Sequence, residues 1–155
     1  RILFDRQTPV EKVKQLLEAS IEDSVTFVIP DDLQHLARGG RITPMAAKLG
    51  GFLNIKPILK VAKDTGGKND AFEKVRTMRK AWDVIVKYFK EHNVDENCLI
   101  CVAHVKSPEK GRELYELMKK EFPTTEIFLT DLISTVGVHT GLNCVALQYI
   151  RKVPV

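Results

Sequence analysis

The chain has 155 residues, of which 44% are hydrophobic and 28% charged, a composition typical of one globular domain rather than of a fibre or a disordered tail. No segment approaches the roughly 18 consecutive apolar residues that a transmembrane helix needs, so a membrane-spanning protein is excluded. The net charge of +4 is small, and basic and acidic residues are interspersed. We therefore expect no nucleic-acid partner, although the charge alone would permit one.

The cysteines indicate the cellular compartment of the protein, and the first residues indicate whether the chain is part of a longer one. Three cysteines, Cys98, Cys101 and Cys144, do not suit the disulfide framework of a secreted protein, so we expect them to stay reduced in the cytoplasm. The first residues, Arg1 to Arg6, include neither an initiator methionine nor the pattern of a signal peptide. We expect the chain to be one domain of a longer protein.

The first half of the chain predicts three helices and one strand. Thr8-Pro9-Val10-Glu11 has the form of a capping box and opens an amphipathic helix with Val13, Leu16, Leu17 and Ile21 on one side. A strand over residues 25–29 ends at Pro30, and a short helix capped by Asp31 or Asp32 stops at Gly39-Gly40. Thr43-Pro44 begins a third helix, whose small residues surround one apolar stripe made of Met45, Leu49, Phe52 and Leu53.

The second half predicts a hairpin and then alternating strands and helices. Residues 56–61 and 71–76 form the hairpin around the turn 65–69, and the spacing of Met78, Trp82, Ile85, Val86 and Phe89 predicts a long helix. Buried strands follow at 98–105, 126–129 and 143–150, and a helix begins at Ser107-Pro108. About six strands and five helices predict an α/β domain.

A segment that begins at Cys98 has the letter spacing of a redox pair or half a zinc site, because Cys101 and His104 follow at intervals of three. Side chains of a strand alternate between its two faces, so Cys98 and Cys101 point in opposite directions, as do Cys101 and His104. We therefore interpret the cysteines as core residues and expect neither a metal nor a cofactor.

Arg38-Gly39-Gly40-Arg41 allows two interpretations. The first is an ordinary helix end, with Arg38 placed favourably on the helix dipole and the glycines free to adopt positive φ. The second is a recognition site, since a guanidinium beside a diglycine suits bidentate contact with a carboxylate, a phosphate or an acidic protein surface.

Residues 134–141, Ser-Thr-Val-Gly-Val-His-Thr-Gly, predict a loop between two strands. Three hydroxyl groups and His139 suit a polar site for a carboxylate or phosphate oxygen, and an ordinary turn with a surface histidine is the alternative. A triad of Ser134, His139 and Asp131 is not supported, because no nucleophile elbow is present and nothing marks one hydroxyl as activated.

Four motifs together resemble the DegV family in order and spacing, over essentially the whole chain. They are Asp32-Leu33-x-x-Leu36-x-Arg38-Gly39-Gly40-Arg41-Ile42, the segment Leu53 to Leu59, Glu73-Lys74-Val75-Arg76, and Gly137-Val138-His139-Thr140-Gly141. Any one motif is weak evidence, whereas four in order over about 110 residues are strong evidence. The resemblance covers only the family's C-terminal domain and implies that an N-terminal α/β domain is absent here.

The resemblance implies a fold and a function. The fold is a two-layer α/β sandwich with a mixed six-stranded sheet covered by helices. The function is that of a cytoplasmic carrier, not an enzyme, which binds a long-chain fatty acid and presents its carboxylate to a separate kinase subunit. His139 would bind the carboxylate, with Thr140 and Gly141 shaping its loop, and Arg41 and Arg76 would dock the kinase. We add Arg38, which flanks the same diglycine as Arg41, to this docking set.

Burial of an acyl chain requires an apolar wall, since each buried CH₂ contributes about 0.8 kcal/mol. Our candidate wall is the segment after the diglycine, with Ile42, Met45, Leu49 and Phe52, although a plain core helix is an equal alternative for each residue. Leu142-Asn143 stand where the family usually has Pro-Gly, so the sequence departs from the family pattern in the loop after His139. The competing hypothesis is an interaction module that docks through the arginines without holding ligand, and a domain cut from its neighbour is also expected to self-associate.

Overall fold

A mixed six-stranded sheet forms the centre of the molecule in a computed structural model that describes residues 8–44, 48 and 55–152. The strands are β1 (Val25–Ile29), β2 (Lys56–Val61), β3 (Asp70–Val75), β4 (Cys98–His104), β5 (Glu126–Asp131) and β6 (Val145–Arg151). Their order is β3-β2-β1-β6-β4-β5, and every neighbouring pair is antiparallel except β4 and β5, which are parallel. The predicted mixed sheet is confirmed.

Five helices are found in the described part of the chain. They are α1 (Val10–Ile21), α2 (Leu33–Arg38), α3 (Met78–Glu91), α4 (Pro108–Glu121) and α5 (Ser134–Thr140). Helices α3 and α4 cover one face of the sheet, and α4 is the crossover that joins the parallel strands. Helix α2 packs on the opposite face and contacts α5. The helical layer predicted over the sheet is therefore present, and none of the described helices is long and apolar enough to cross a membrane.

The first face holds the larger core. The predicted helix over residues 78–89 is confirmed as α3, which buries Trp82, Ile85, Val86 and Phe89 against the sheet. Aromatic rings fill the middle of this core, because Phe27 lies 5.0 Å from Phe72 and 5.0 Å from Tyr88 between ring centroids. A helix that places apolar residues on one side for four turns produces such a closed layer.

The second face holds a smaller cluster, and it is incompletely covered in the described residues. Its buried members are mostly short side chains: Val28, Leu33, Leu36, Leu59, Ala103, Cys144 and Ala146. Helix α1 buries none of its residues, and Leu17 and Ile21 stay 54% and 57% exposed. The amphipathic pattern of α1 thus presents an apolar side that the described residues leave exposed.

The cysteines take the positions that the strand period predicts. Cys98 belongs to the core of the first face, whereas Cys101 packs against the cluster of the second face. Burial raises the pKa of the Cys144 thiol to about 11 and also raises the pKa of Cys101. Within the described residues, no group of three or more histidine, cysteine or acidic side chains is arranged to hold a metal ion.

Two details differ from the sequence predictions. Helix α1 has Pro9 at its N-cap and no side-chain capping bond, so the capping box at Thr8 does not form. Residues 134–140, predicted as a loop, form helix α5. Serine, threonine and glycine have low helix propensity, but contact with α2 stabilises this short helix, and tertiary contacts commonly override propensity.

Candidate ligand-binding site

Helix α2 leads into the Arg38-Gly39-Gly40-Arg41 motif, the first of two motifs at the candidate site. It starts where the Asp32 side chain accepts a hydrogen bond from the His35 backbone N–H at 3.0 Å, as predicted. It ends at the diglycine, where Gly39 N–H donates to the His35 carbonyl and Gly40 adopts a φ of +65°. The helix-end interpretation of the diglycine is therefore confirmed, and it leaves recognition by the flanking arginines open.

Helix α5 carries the second motif. Thr140 is buried, and its hydroxyl donates to the Val136 carbonyl at 3.2 Å, so this side chain is occupied within its own helix. Gly141 ends the helix with a φ of +82°, a conformation that L side chains rarely adopt. His139 is half-buried and lies in the last turn of the helix.

The fold brings these two motifs into contact. A Cβ atom built on Gly39 would lie 3.4 Å from His139 Nδ1. On the other side of the junction, His35 Nε2 donates to the Val138 carbonyl at 2.7 Å. Residues 35–41 and 137–141 are therefore one structural unit, which we call the α2–α5 junction.

The three predicted docking arginines do not form one cluster. Arg38 lies 3.7 Å from Asp32 Oδ2, and Arg41 Nη1 donates to the Gly39 carbonyl at 3.0 Å, so both belong to the α2–α5 junction. The Arg41 carbonyl accepts from Asn69 just before β3, whereas Arg76 directly follows β3 at its other end. The intervening extended chain separates the two ends by roughly 20 Å.

The described residues include one member of the predicted acyl wall, Ile42. Ile42 is half-buried against the cluster of the second face and bridges to Asn69. Met45, Leu49 and Phe52 lie outside the described residues.

An open cleft of about 440 Å³ borders the junction where β4 and β5 end. Its apolar walls include Val138 and Leu142 of the α5 region, which are 63% and 67% exposed. Its polar lining comprises His35, His104, Lys106, Asp131 and Ser134, and His139 is not among the residues that line it.

His104 and His35 line this cleft, although from the sequence alone His104 stands only in a zinc-site spacing that is rejected and His35 has no role. The His104 side chain is 8% exposed, and its Nδ1 lies 3.3 Å from Asp131 Oδ1 without hydrogen-bond geometry. Both residues end the parallel strands, and ligands of α/β sheets commonly bind beyond the carboxyl ends of such strands. The predicted strand–helix–strand order from Cys98 onward was the feature that could have drawn attention to His104.

Charges near the junction are paired locally. A hydrogen bond from Lys56 at 2.8 Å lowers the pKa of Asp31, and the charge of Lys110 contributes in the same direction against the effect of burial. This group ties the end of β1 to β2 and α4. Lys106 on the rim of the cleft makes no ion pair with any described residue.

Comparison with known proteins gives one consistent result. A family model described as "Uncharacterised protein, DegV family" matches residues 3–152. The DegV domain-containing protein spr1415 of Streptococcus pneumoniae is 33% identical over 146 residues, which is 94% of this chain and 51% of that protein. The chain spans about half the length of the curated relatives it matches.

Solved structures agree with the family match. The fatty acid binding DegV family protein SAG1342 of Streptococcus agalactiae superimposes with a TM-score of 0.83 at 27% identity, over 97% of this chain and 53% of that one. A DegV family protein of Ruminococcus gnavus, refined with vaccenic acid, has a TM-score of 0.80 at 25% identity, over 94% of this chain and 51% of that one. With its sheet order, its motif spacing and these matches in agreement, this chain belongs to the DegV family.

Proposed function

We propose that this chain is part of a carrier that binds a long-chain fatty acid and presents its carboxylate to a separate kinase subunit. The observation that carries the proposal is the α2–α5 junction, because it places His139 against the Arg38-Gly39-Gly40-Arg41 turn beside exposed apolar side chains. The similar proteins of S. agalactiae and R. gnavus are described with fatty acid binding or with a bound fatty acid, which supports the ligand class.

The chemistry of the junction suits an amphipathic anion. The imidazole of His139 is half-buried and can donate to a carboxylate oxygen, whose charge is poorly tolerated in an apolar site without a donor. Val136, Val138 and Leu142, its neighbours in the chain, leave apolar surface exposed, and an acyl chain that covers such surface gains about 0.8 kcal/mol per buried CH₂. For the rest of the acyl chain, our proposed apolar wall remains Ile42, Met45, Leu49 and Phe52. Thr140 and Gly141 would shape the helix end beside His139.

The kinase would dock through arginines. Arg41 and Arg76 are exposed, and Arg38 keeps two thirds of its side chain in solvent, so all three are available to an acidic surface. Because Arg76 stands apart from the other two, the docking surface would have to extend along β3. We place the protein in the cytoplasm, where the three free cysteines would stay reduced, and assign it no catalytic role of its own.

The test is mass spectrometry of organic extracts from natively purified protein that includes its native flanking sequence. We expect about one long-chain fatty acid per chain, and His139→Ala should reduce the retained amount at least tenfold because the carboxylate loses its donor. His92→Ala is the matched control, since His92 lies at the end of α3 and stacks on Tyr88 instead. Protein free of fatty acid from lipid-rich cells would contradict the proposal.

An interaction module without its own ligand is the second candidate. The separation of Arg41 from Arg76 along β3 favours it, because an extended basic edge can dock a partner whatever the junction holds. Fatty acid in the longer protein but not in the isolated 155 residues would assign ligand retention to the flanking sequence and docking to this chain.

The exposed Leu17 and Ile21 of α1 also support self-association of the isolated chain, and a single monomer peak in light scattering at all concentrations would contradict it.

A further inference from the structure

Two histidines and two glycines interlock at the α2–α5 junction. His139 of α5 faces Gly39 of α2, where a Cβ would come within 3.4 Å of Nδ1. Reciprocally, His35 of α2 faces Gly141 at the end of α5, where a Cβ would come within 3.2 Å of the imidazole Cδ2. Each helix therefore ends in a glycine at the point where the other helix places an imidazole ring.

His35 also supplies a hydrogen bond that α5 cannot make by itself. The last carbonyl groups of a helix have no partner within it. In α5 the Gly137 carbonyl accepts from Gly141 N–H at 2.9 Å, and the next carbonyl, that of Val138, accepts from His35 Nε2 at 2.7 Å. Since a carbonyl only accepts, Nε2 carries the proton, and His35 caps α5 from a different helix directly beside His139.

Hydrogen bonds within α2 also hold the backbone of His35 in place. Its backbone N–H is held by the Asp32 side chain at 3.0 Å, and its carbonyl accepts from Gly39 N–H at 3.3 Å. The donor thus stands on a capped helical turn rather than on a loop. A displacement of the C-terminal end of α5 would therefore be transmitted through the His35 side chain to the turn that carries Arg38 and Arg41.

We propose that His35 is a positioning residue for the ligand site: its Nε2–H holds the end of α5 so that His139 keeps its orientation over Gly39. The inference rests on the proposed function for its consequence in ligand binding. His35 occupies an open position of the first motif, so the motif itself does not assign it this task. The chemistry required at residue 35 is an N–H donor that reaches the Val138 carbonyl, not a particular volume.

Two substitutions separate the donor from the volume. His35→Leu keeps a side chain of similar size and removes the N–H group. His35→Gln keeps a donor, because the amide Nε2 of glutamine reaches about as far as Nε2 of histidine. His92→Leu is a matched control: His92 donates through Nδ1 to the Tyr88 carbonyl at 2.8 Å, so it also caps a helix, but at the end of α3.

The experiment uses the chain with its native flanking sequence and has two measurements. The first is the imidazole ¹H and ¹⁵N resonances of His139, and the second is the rate at which bound vaccenic acid transfers to phosphatidylcholine vesicles. We expect His35→Leu to shift the His139 resonances and to accelerate transfer about tenfold, the usual effect of losing one hydrogen bond beside a site. His35→Gln should stay within about twofold of the unsubstituted protein, and His92→Leu should change neither measurement.

Unchanged His139 resonances and an unchanged transfer rate in His35→Leu would overturn the proposal. So would a His35→Gln protein as impaired as His35→Leu, because the donor would then be irrelevant. If the unsubstituted protein holds no vaccenic acid, the proposed function fails, and the His139 resonances of the ligand-free protein alone decide the positioning role of His35.

Discussion

The two faces of the sheet are built by different means. On the first face, α3 and α4 bury long apolar side chains in a continuous core, in which six Phe and Tyr rings form a chain of contacts around Phe27 and Phe89. On the second face, short side chains and the glycines of the α2–α5 junction allow close approach of two short helix ends. Stability therefore depends mainly on the first face, and the candidate site lies on the second.

The difference teaches what each face requires of its residues. A closed apolar core tolerates changes that conserve volume and penalises the loss of volume. A junction of glycines and histidines depends on single atoms, such as the Val138 carbonyl and the space at Gly141, and contributes little area. Substitutions on the two faces should therefore separate into those that lower stability and those that change ligand retention.

The largest expected effect comes from adjacent residues of β1 that point to opposite faces. Phe27 is fully buried in the first core, and Val28 lies 6% exposed in the second cluster. Phe27→Ala should lower the free energy of unfolding by about 4 kcal/mol, because it leaves a large cavity among aromatic rings. Val28→Ala removes only two methyl groups and should cost about 2 kcal/mol.

Urea unfolding followed by fluorescence measures both changes, since the chain has one tryptophan, Trp82, and its side chain is buried in the first core. A Val28→Ala variant that loses as much stability as Phe27→Ala would show that the second cluster is not the minor one. Retained fatty acid, measured on the same samples below the unfolding transition, should be unchanged by Phe27→Ala.

The first face could be predicted from the sequence because its information is periodic. The spacing of Trp82, Ile85, Val86 and Phe89 predicts both the helix and the side that it buries, and the structure confirms both. The alternation of side chains in β4 likewise separates Cys98 from Cys101 before any coordinates are known. Periodic patterns average over many residues, so one unusual position does not change the result.

The second face could be predicted only in part. The motifs mark Gly39 and His139 as important, but nothing in the sequence shows that they touch, because the contact joins residues a hundred positions apart. Helix α5 lacks an apolar stripe and depends on contact with α2, so its sequence alone predicts a loop. His35 and His104 acquire their settings from tertiary contacts, and local spacing contains no trace of those contacts.

The next largest effect on stability is expected where the first face reaches the cleft, at the contact between Gly111 and His104. A Cβ on Gly111 of α4 would lie 2.2 Å from Cδ2 of the buried His104 ring. Gly111→Ala should therefore destabilise the protein by about 1.5 kcal/mol, since the overpacking cost exceeds the gain in helix propensity of up to about 1 kcal/mol. Thermal unfolding measures the change, and the exposed neighbour Arg112→Ala should stay within about 0.5 kcal/mol.

A Gly111→Ala protein as stable as its parent would mean that the His104 ring moves aside at little cost. In that case the polar end of the cleft would not share the close packing of the rest of the first face. The His104 resonances of the variant would then differ from those of the parent, which distinguishes a displaced ring from one that never occupied the space.

The smallest effect lies at the seam between the two faces, where Asp31 at the end of β1 joins Lys56 of β2 and Lys110 of α4. The hydrogen bond from Lys56 lowers the pKa of Asp31 below its ordinary value of 3.8, so the carboxylate stabilises the folded state above that pH. This contribution disappears as the pH falls through the lowered pKa, where the folded state must also take up the proton.

Because the pair is about one third exposed, Asp31→Asn should cost only about 0.5 kcal/mol at pH 7. Asp83→Asn on α3, where no described ion pair forms, should cost less. Unfolding curves at pH 7 and at successively lower pH check both variants, and a stability difference for Asp31→Asn that persists below the lowered pKa would assign the role of Asp31 to packing rather than to its charge.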